Sequence, residues 1–280
     1  MIPAILPLLL LAAAPVDTAW FEQTSSFEGS VGLGGGQDSN LDLAPDRSSA
    51  AFGSATMYAW ADGGWSFETS PATRVYAGMR YDGFLCADAS DLDRHVIGAD
   101  ASLTYELSEK LAAVLAPGVG YAFYGDPSRN AWRMGGRALI RLRPADWLSL
   151  RAGYGRAQSW AVDAVYSLGV DRVLTSAEAR IARRSYVAAG YSLSLGDQVF
   201  YRAAPPVGPG AAHSNARASG RFASLEPYQA YAREHTLSLR WEQGLWRELY
   251  LTVSYDYTRG SSVEGPYVVN SWFAGTGYRF

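Results

Sequence analysis

From Ser25 to Phe280 apolar and polar residues alternate with a period of two, broken by clusters of turn formers, and helical spacing is not sustained anywhere. Neighbouring side chains on an extended strand point to opposite faces. The stretch from Arg133 to Arg143 shows it most clearly. Arg133, Arg137, Arg141 and Arg143 share one parity, and Trp132, Met134, Ala138, Ile140 and Leu142 share the other. Leu249, Leu251, Val253, Tyr255 and Tyr257 oppose Tyr250, Thr252, Ser254 and Asp256 in the same way. Val75, Ala77, Met79 and Tyr81 oppose Arg74, Tyr76, Gly78, Arg80 and Asp82, and Ile97, Ala99, Ala101, Leu103 and Tyr105 oppose Gly98, Asp100, Ser102, Thr104 and Glu106. One such strand suits a soluble sandwich as well as a barrel in lipid. A whole chain of segments of roughly ten residues, each with one apolar and one polar face, points to a transmembrane barrel. Lipid offers no hydrogen-bond partners, so only a closed sheet satisfies every strand there.

The pattern predicts an all-β fold, a transmembrane antiparallel up-and-down β-barrel of about twelve strands: 25–36, 51–68, 73–85, 95–107, 111–124, 131–143, 147–158, 171–182, 186–196, 234–245, 249–259 and 267–280. Segment 159–182 reads either as a long loop plus a strand or as one longer bent strand, and Pro117 removes a ladder donor inside the fifth strand. Short turns (69–73, 108–110, 144–146, 183–185, 246–248) alternate with longer polar connections (37–50, 86–94, 125–130, 159–170 and 198–233). That asymmetry matches short periplasmic turns and longer extracellular loops, with 198–233 the longest. Aromatic residues gather near both ends of the strands: Trp65, Phe67, Tyr105, Trp147, Trp241 and Trp246 at one, Tyr81, Tyr121, Phe123, Trp132, Tyr154, Tyr191 and Tyr255 at the other. Two girdles suit amphipathic rings at two membrane interfaces.

The first residues, MIPAILPLLLLAAA, carry a short apolar centre followed by small residues, as an export signal does. Residues 1–19 are therefore set apart as a signal peptide, with cleavage expected between 14 and 19, and 20–280 form a single barrel domain. After residue 14 no apolar run approaches the roughly 20 residues of a spanning helix. Lys110 is the sole lysine among 24 basic residues, and the net charge is −3 with no long run of one sign, unlike the basic footprint of a nucleic-acid binder. Cys86 is the only cysteine, so it forms neither an internal disulfide nor a metal cluster. Asp38 and Asp82 lack the compact oxygen-ligand run of a calcium loop. The reading thus calls for no cofactor and no metal.

The chain ends Trp272-Phe-Ala-Gly-Thr-Gly-Tyr-Arg-Phe280, with Trp272, Ala274, Thr276, Tyr278 and Phe280 on the outward parity. This resembles the C-terminal signature of Gram-negative outer-membrane β-barrels of the porin-like kind. Thr276 and Ala274 are smaller than the usual large apolar choices. The resemblance implies an outer-membrane location, lipid as surroundings, and reading of Trp272, Tyr278 and Phe280 by the barrel-assembly machinery. Val31 to Asn40, VGLGGGQDSN, looks like the first barrel strand of several outer-membrane families, some of which act in surface-protein or polysaccharide export.

The inward parity collects Arg74, Arg80, Arg133, Arg137, Arg141, Arg143, Arg151, Arg172, Arg180, Arg240 and Arg279 against Glu28, Asp62, Glu68, Asp82, Asp100, Glu106, Glu178, Glu234, Glu242 and Asp256. The sixth and seventh strands are nearly all basic where charged, and the first, second and fourth acidic. Opposed walls of that kind orient polar solutes and favour anions in an open pore; in a closed barrel the same charges pair and plug it. Small residues on the fifth and ninth strands (Ala112, Ala116, Gly118, Gly120, Ala188, Gly190) favour a water-filled interior. Oligogalacturonate-type porins are of similar size with Arg-rich lumens, a likeness of architecture alone.

Three functions are compatible with this pattern: a passive or weakly selective channel for small polar or anionic solutes, an outer-membrane lipid hydrolase, and a structural or export-accessory barrel with a plugged lumen. Outer-membrane barrels of this size include a phospholipase and a lipid A deacylase. A hydrolase needs a nucleophile beside an oriented base. The only His/Ser/Asn cluster is His213-Ser214-Asn215, where adjacent residues on a strand would point apart and where the surrounding sequence is Pro-, Gly- and Ala-rich.

Overall fold

In the computed structural model, residues 27–40, 53–203, 225–263 and 265–280 are described. They form one closed antiparallel barrel in which every strand pairs with its sequence neighbours and the first pairs with the last. The strands are β1 (Phe27–Asp38), β2 (Ser54–Ser70), β3 (Thr73–Cys86), β4 (Arg94–Ser108), β5 (Leu111–Tyr124), β6 (Ala131–Ala145), β7 (Leu148–Ala161), β8 (Gly169–Ala182), β9 (Ser185–Ala203), β10 (Leu225–Trp246), β11 (Leu249–Ser262) and β12 (Gly265–Arg279). Twelve strands stand close to where the alternation puts them. The ambiguous segment 159–182 resolves into the end of β7, a 3-10 turn at Ala164–Tyr166 and β8.

Closure follows from β1 and β12. Gly29 and Phe280 exchange both backbone hydrogen bonds at 3.0 Å, and the ladder continues from Ser30↔Arg279 to Asp38↔Ser271. Within the ring no edge remains, so each strand has a partner on both sides there. Pro117 sits where the β4–β5 ladder is interrupted: pairing runs to Asp100↔Gly118 and resumes in the same register at Leu103↔Leu115.

The two faces separate as the alternation requires. Met79, Ile97, Leu115, Trp132, Met134, Leu237 and Leu239 are all exposed on the outside, whereas Arg94, Glu234, Glu242 and Asp82 are buried within. An apolar exterior over an ionic interior inverts the usual order of a soluble protein and is the order a bilayer demands. Trp65, Phe67, Tyr105, Trp147, Trp246, Tyr278 and Phe280 ring the short-turn end, and Phe123, Trp132, Tyr154, Trp160, Tyr191, Tyr255 and Trp272 ring the long-loop end.

One expectation changes substantially. The connection expected at 198–233 narrows to 204–224, which lies outside the described residues, because β9 and β10 continue far past their neighbours. β8 leaves β9 at Val170↔Gly196, and β11 leaves β10 at Ser261↔Arg233. Beyond those points Asp197–Ala203 and Leu225–Ala232 pair only with each other, as a two-stranded hairpin. Residues 1–19 and the His213–Asn215 cluster also lie outside the described residues.

Candidate functional site

The interior is polar, and its charges are sorted by the residues between them. On β5 the inward Ala112 pairs with Glu106 of β4 on one side and Arg141 of β6 on the other. A methyl group leaves the space above it open, and the Arg141 guanidinium crosses it to Glu106 Oε1 at 2.7 Å. The small residues of β5 therefore do more than leave room: at this level a long ion pair spans them. Arg151 reaches Glu178 of the next strand at 3.5 Å, and Glu242 takes Arg240 at 3.2 Å and Arg279 at 2.6 Å. Arg80 lies between two carboxylates, 3.6 Å from Asp82 and 3.3 Å from Asp100. Pairing between nearby strands thus offsets much of the contrast expected between a basic and an acidic wall.

Arg74 pairs with Glu68 at 3.0 Å near the short-turn end, where both are half or more exposed. Arg133, Arg137 and Arg143 share the β6 face with Arg141, opposite Trp132, Met134, Ile140 and Leu142. Asp256 is buried opposite Ser238. Trp272 and Tyr278 are exposed on the outside of β12, and the Phe280 ring lies 6.0 Å from that of Phe27 and 6.4 Å from that of Tyr278. His95 and His235 hydrogen-bond Tyr81 and Tyr191, each at 2.8 Å, with no serine or cysteine nucleophile in either contact.

Two interior arginines were invisible to the alternation. Arg94 opens β4 after an Asp-rich connection and reads as part of it; its side chain is 1% exposed. Arg129 lies in the 3-10 turn Pro127–Arg129 between β5 and β6 and is 3% exposed. Its guanidinium carbon sits 4.7 Å from the Tyr166 ring centre, 5.8 Å from that of Tyr201 and 6.0 Å from that of Tyr124, and its Nη2 donates to the Tyr201 hydroxyl. Burial pushes the Tyr166 hydroxyl up from its ordinary pKa while Arg129 pulls the other way, so this hydroxyl stays protonated at neutral pH.

These contacts fasten the β9–β10 hairpin over the long-loop end. Val199, Phe200 and Ala232 pack with Tyr166 and Leu168 of the β7–β8 connection and with Tyr267 and Val269 of β12. Phe200 meets Tyr267 edge-on at 5.9 Å and stacks on Tyr228 at 5.9 Å. Gln229 donates to the Ser167 carbonyl, and Tyr267 donates to Glu234 at 2.8 Å. A small cavity of about 20 Å³ lies under this cover, lined by Tyr124, Arg129, Ala131, Arg133, Ser159, Tyr166 and Leu168. That volume is enough for a single water.

A second cluster lies on β2 and β12. Tyr58 and Trp60 of β2 and Phe273 of β12 are mutually in contact, with ring centres 5.8, 5.9 and 6.1 Å apart. They lie over glycines: a Cβ on Gly32 would fall 2.1 Å from the Trp60 ring, and one on Gly34 would fall 2.4 Å from Phe273. The Gly-rich first strand therefore makes the floor on which inward aromatic rings rest.

No family model matches the sequence, and no curated protein resembles it in sequence. Among solved structures, the chain is similar to the COG4313 outer membrane channel from Pseudomonas putida F1, with a TM-score of 0.59 and 11% identity over 90% of this chain and 95% of that one. It also aligns with the NanC porin (TM-score 0.48, 12% identity, 89% and 98% covered) and with the translocator domain of the autotransporter NalP from Neisseria meningitidis (TM-score 0.47, 11% identity, 99% and 96% covered). At such identities the likeness is one of fold: a closed twelve-stranded antiparallel barrel of the kind that outer-membrane channels use.

Proposed function

We propose that the protein is an outer-membrane channel, passive or weakly selective, for small polar or anionic solutes that move past an arginine-bearing wall. The observation that carries this reading is the inverted barrel itself, an apolar exterior closed around an interior of charges. A barrel made only to sit in lipid has no need of so many buried ions, each of which costs desolvation; a barrel that passes polar solutes does. Lipid is its surroundings, and the barrel-assembly machinery reads its final strand through Trp272, Tyr278 and Phe280. The test is conductance of the refolded protein in planar bilayers. Steady ohmic steps with an anion-biased reversal potential are expected, and a silent protein across repeated insertions overturns the reading.

A second reading, a barrel occluded at its long-loop end, is favoured by the apolar packing of the β9–β10 hairpin there. The two differ in what hairpin variants do. If the hairpin is a permanent plug, loosening it creates conductance where there was none; if it narrows a working channel, loosening it enlarges steps that already exist.

A further inference from the structure

The ion pairs of the interior leave one cluster in the long-loop half uncompensated. Arg94 is among the largest fully buried side chains, yet none of its three guanidinium nitrogens makes a hydrogen bond of good geometry, and its one polar neighbour of that kind is the neutral hydroxyl of Tyr124, not a carboxylate. It pairs in register with Tyr124 on β5, while Arg133 pairs with Gly120 on the other side of the same strand. Both arginines act electrostatically on Tyr124. Asp82 is within electrostatic reach of Arg94, but its Oδ1 already accepts from Tyr58 at 2.9 Å and it lies 3.6 Å from Arg80. Asp100 is likewise taken by Arg80 at 3.3 Å. Four guanidinium groups, those of Arg80, Arg94, Arg133 and Arg137, thus share two carboxylates, and Arg94 is the most deeply buried of them. A buried charge lacking hydrogen bonds is costly, and an arriving carboxylate with its two oxygens matches a guanidinium fork better than water does.

The surroundings add a shape. Tyr58 joins this cluster through Asp82 and belongs at the same time to the Tyr58–Trp60–Phe273 group. Cationic forks and a floor of half-buried ring faces therefore adjoin. We propose that Arg94 and Arg133 form a carboxylate-binding site inside the barrel, and that the Tyr58–Trp60–Phe273 platform takes the ring that bears the carboxylate. The proposal deepens the channel reading and rests on it for the route by which the ligand arrives. The shared chemistry is a ring-borne monocarboxylate, whether an aromatic acid or a sugar acid.

The test uses the whole refolded protein with benzoate, glucuronate, acetate and neutral glucose, and two readouts: the thermal unfolding midpoint in detergent, and saturable reduction of bilayer current. Benzoate or glucuronate raises the midpoint with saturation, acetate does so more weakly, and glucose has no effect. The ring acid that acts at lower concentration identifies the source, aromatic or saccharide. Arg94→Gln and Arg133→Gln each raise the half-saturating concentration by about tenfold or more, the scale of a lost charge-assisted hydrogen bond. Trp60→Leu reduces the preference for ring acids over acetate, and Arg156→Gln, which alters an outward arginine 3.7 Å from Asp171, changes nothing. If Arg94→Gln does not fold, Arg133→Gln and Trp60→Leu decide. A midpoint indifferent to both ring acids, or unchanged half-saturation in the arginine variants, overturns the site. Conductance without a midpoint response removes the site and leaves the channel; a midpoint response without conductance removes the channel and leaves the site.

Discussion

Gly34 shows how much of this barrel is set by single side chains, here by the absence of one. A Cβ at that position would lie 2.4 Å both from the Ala274 carbonyl oxygen on β12 and from the Phe273 ring. The carbonyl belongs to the ladder that closes the barrel and cannot move far. Gly34→Val is expected to destabilise the protein by about 1–3 kcal/mol, the usual cost of overpacking, read as a lower temperature for loss of the fast-migrating folded band on a gel. Substitution at Gly35, where the nearest atom to a Cβ is 3.4 Å away, serves as the control with little change. An ion pair behaves differently from a packing site. Glu106→Gln removes the carboxylate that Arg141 reaches across Ala112, and a stability loss of about 0.5–1.5 kcal/mol is expected. The double variant Glu106→Gln/Arg141→Met should recover part of that loss, since removing both partners is milder than stranding one.

At the scale of elements, the β9–β10 hairpin is the feature that distinguishes this barrel from a plain cylinder. Val199 and Phe200 are adjacent in sequence and both buried, at 0% and 3% exposure. A strand covered on both faces loses its alternation and reads as a continuous apolar run. For that reason residues 198–203 look like loop when the period of two is the criterion. Phe200→Ala removes the ring that joins Tyr228 to Tyr267. Its expected result is a larger or newly opened single-channel step in bilayers, with the barrel's own melting temperature little affected because β9 and β10 remain paired to β8 and β11 below Gly196 and Arg233. Tyr201→Phe, which removes only the hydroxyl that Arg129 holds, should give the same change in smaller measure. Arg129 and Arg94 escaped the sequence reading for a related reason. One lies in a connection and the other at the first residue of a strand, where there is no stretch of alternation to assign a face.

For the molecule as a whole, the decisive property is an ionic interior behind an apolar wall. Charge selectivity that arises from interior arginines is screened by salt, with a Debye length of about 10 Å at 0.1 M falling to about 3 Å at 1 M. The anion bias in reversal potential is therefore expected to shrink as salt rises over that range, while conductance continues to increase; a bias independent of salt would point to size exclusion in place of charge. What the chain alone determined was the side each residue takes. A period of two, sustained through twelve segments, sends Trp132 and Met134 outward and Arg133 and Arg137 inward without reference to any neighbour, because the pleat of one strand suffices. What only tertiary structure decided was which inward groups meet. Glu106 reaches Arg141 across Ala112, Arg80 is claimed by two aspartates, and Arg94 is left over. Those outcomes depend on register between strands and on the size of the residue lying between two charges. Closure and register arise from pairing around the whole ring, from Gly29 to Phe280, and no local pattern contains them.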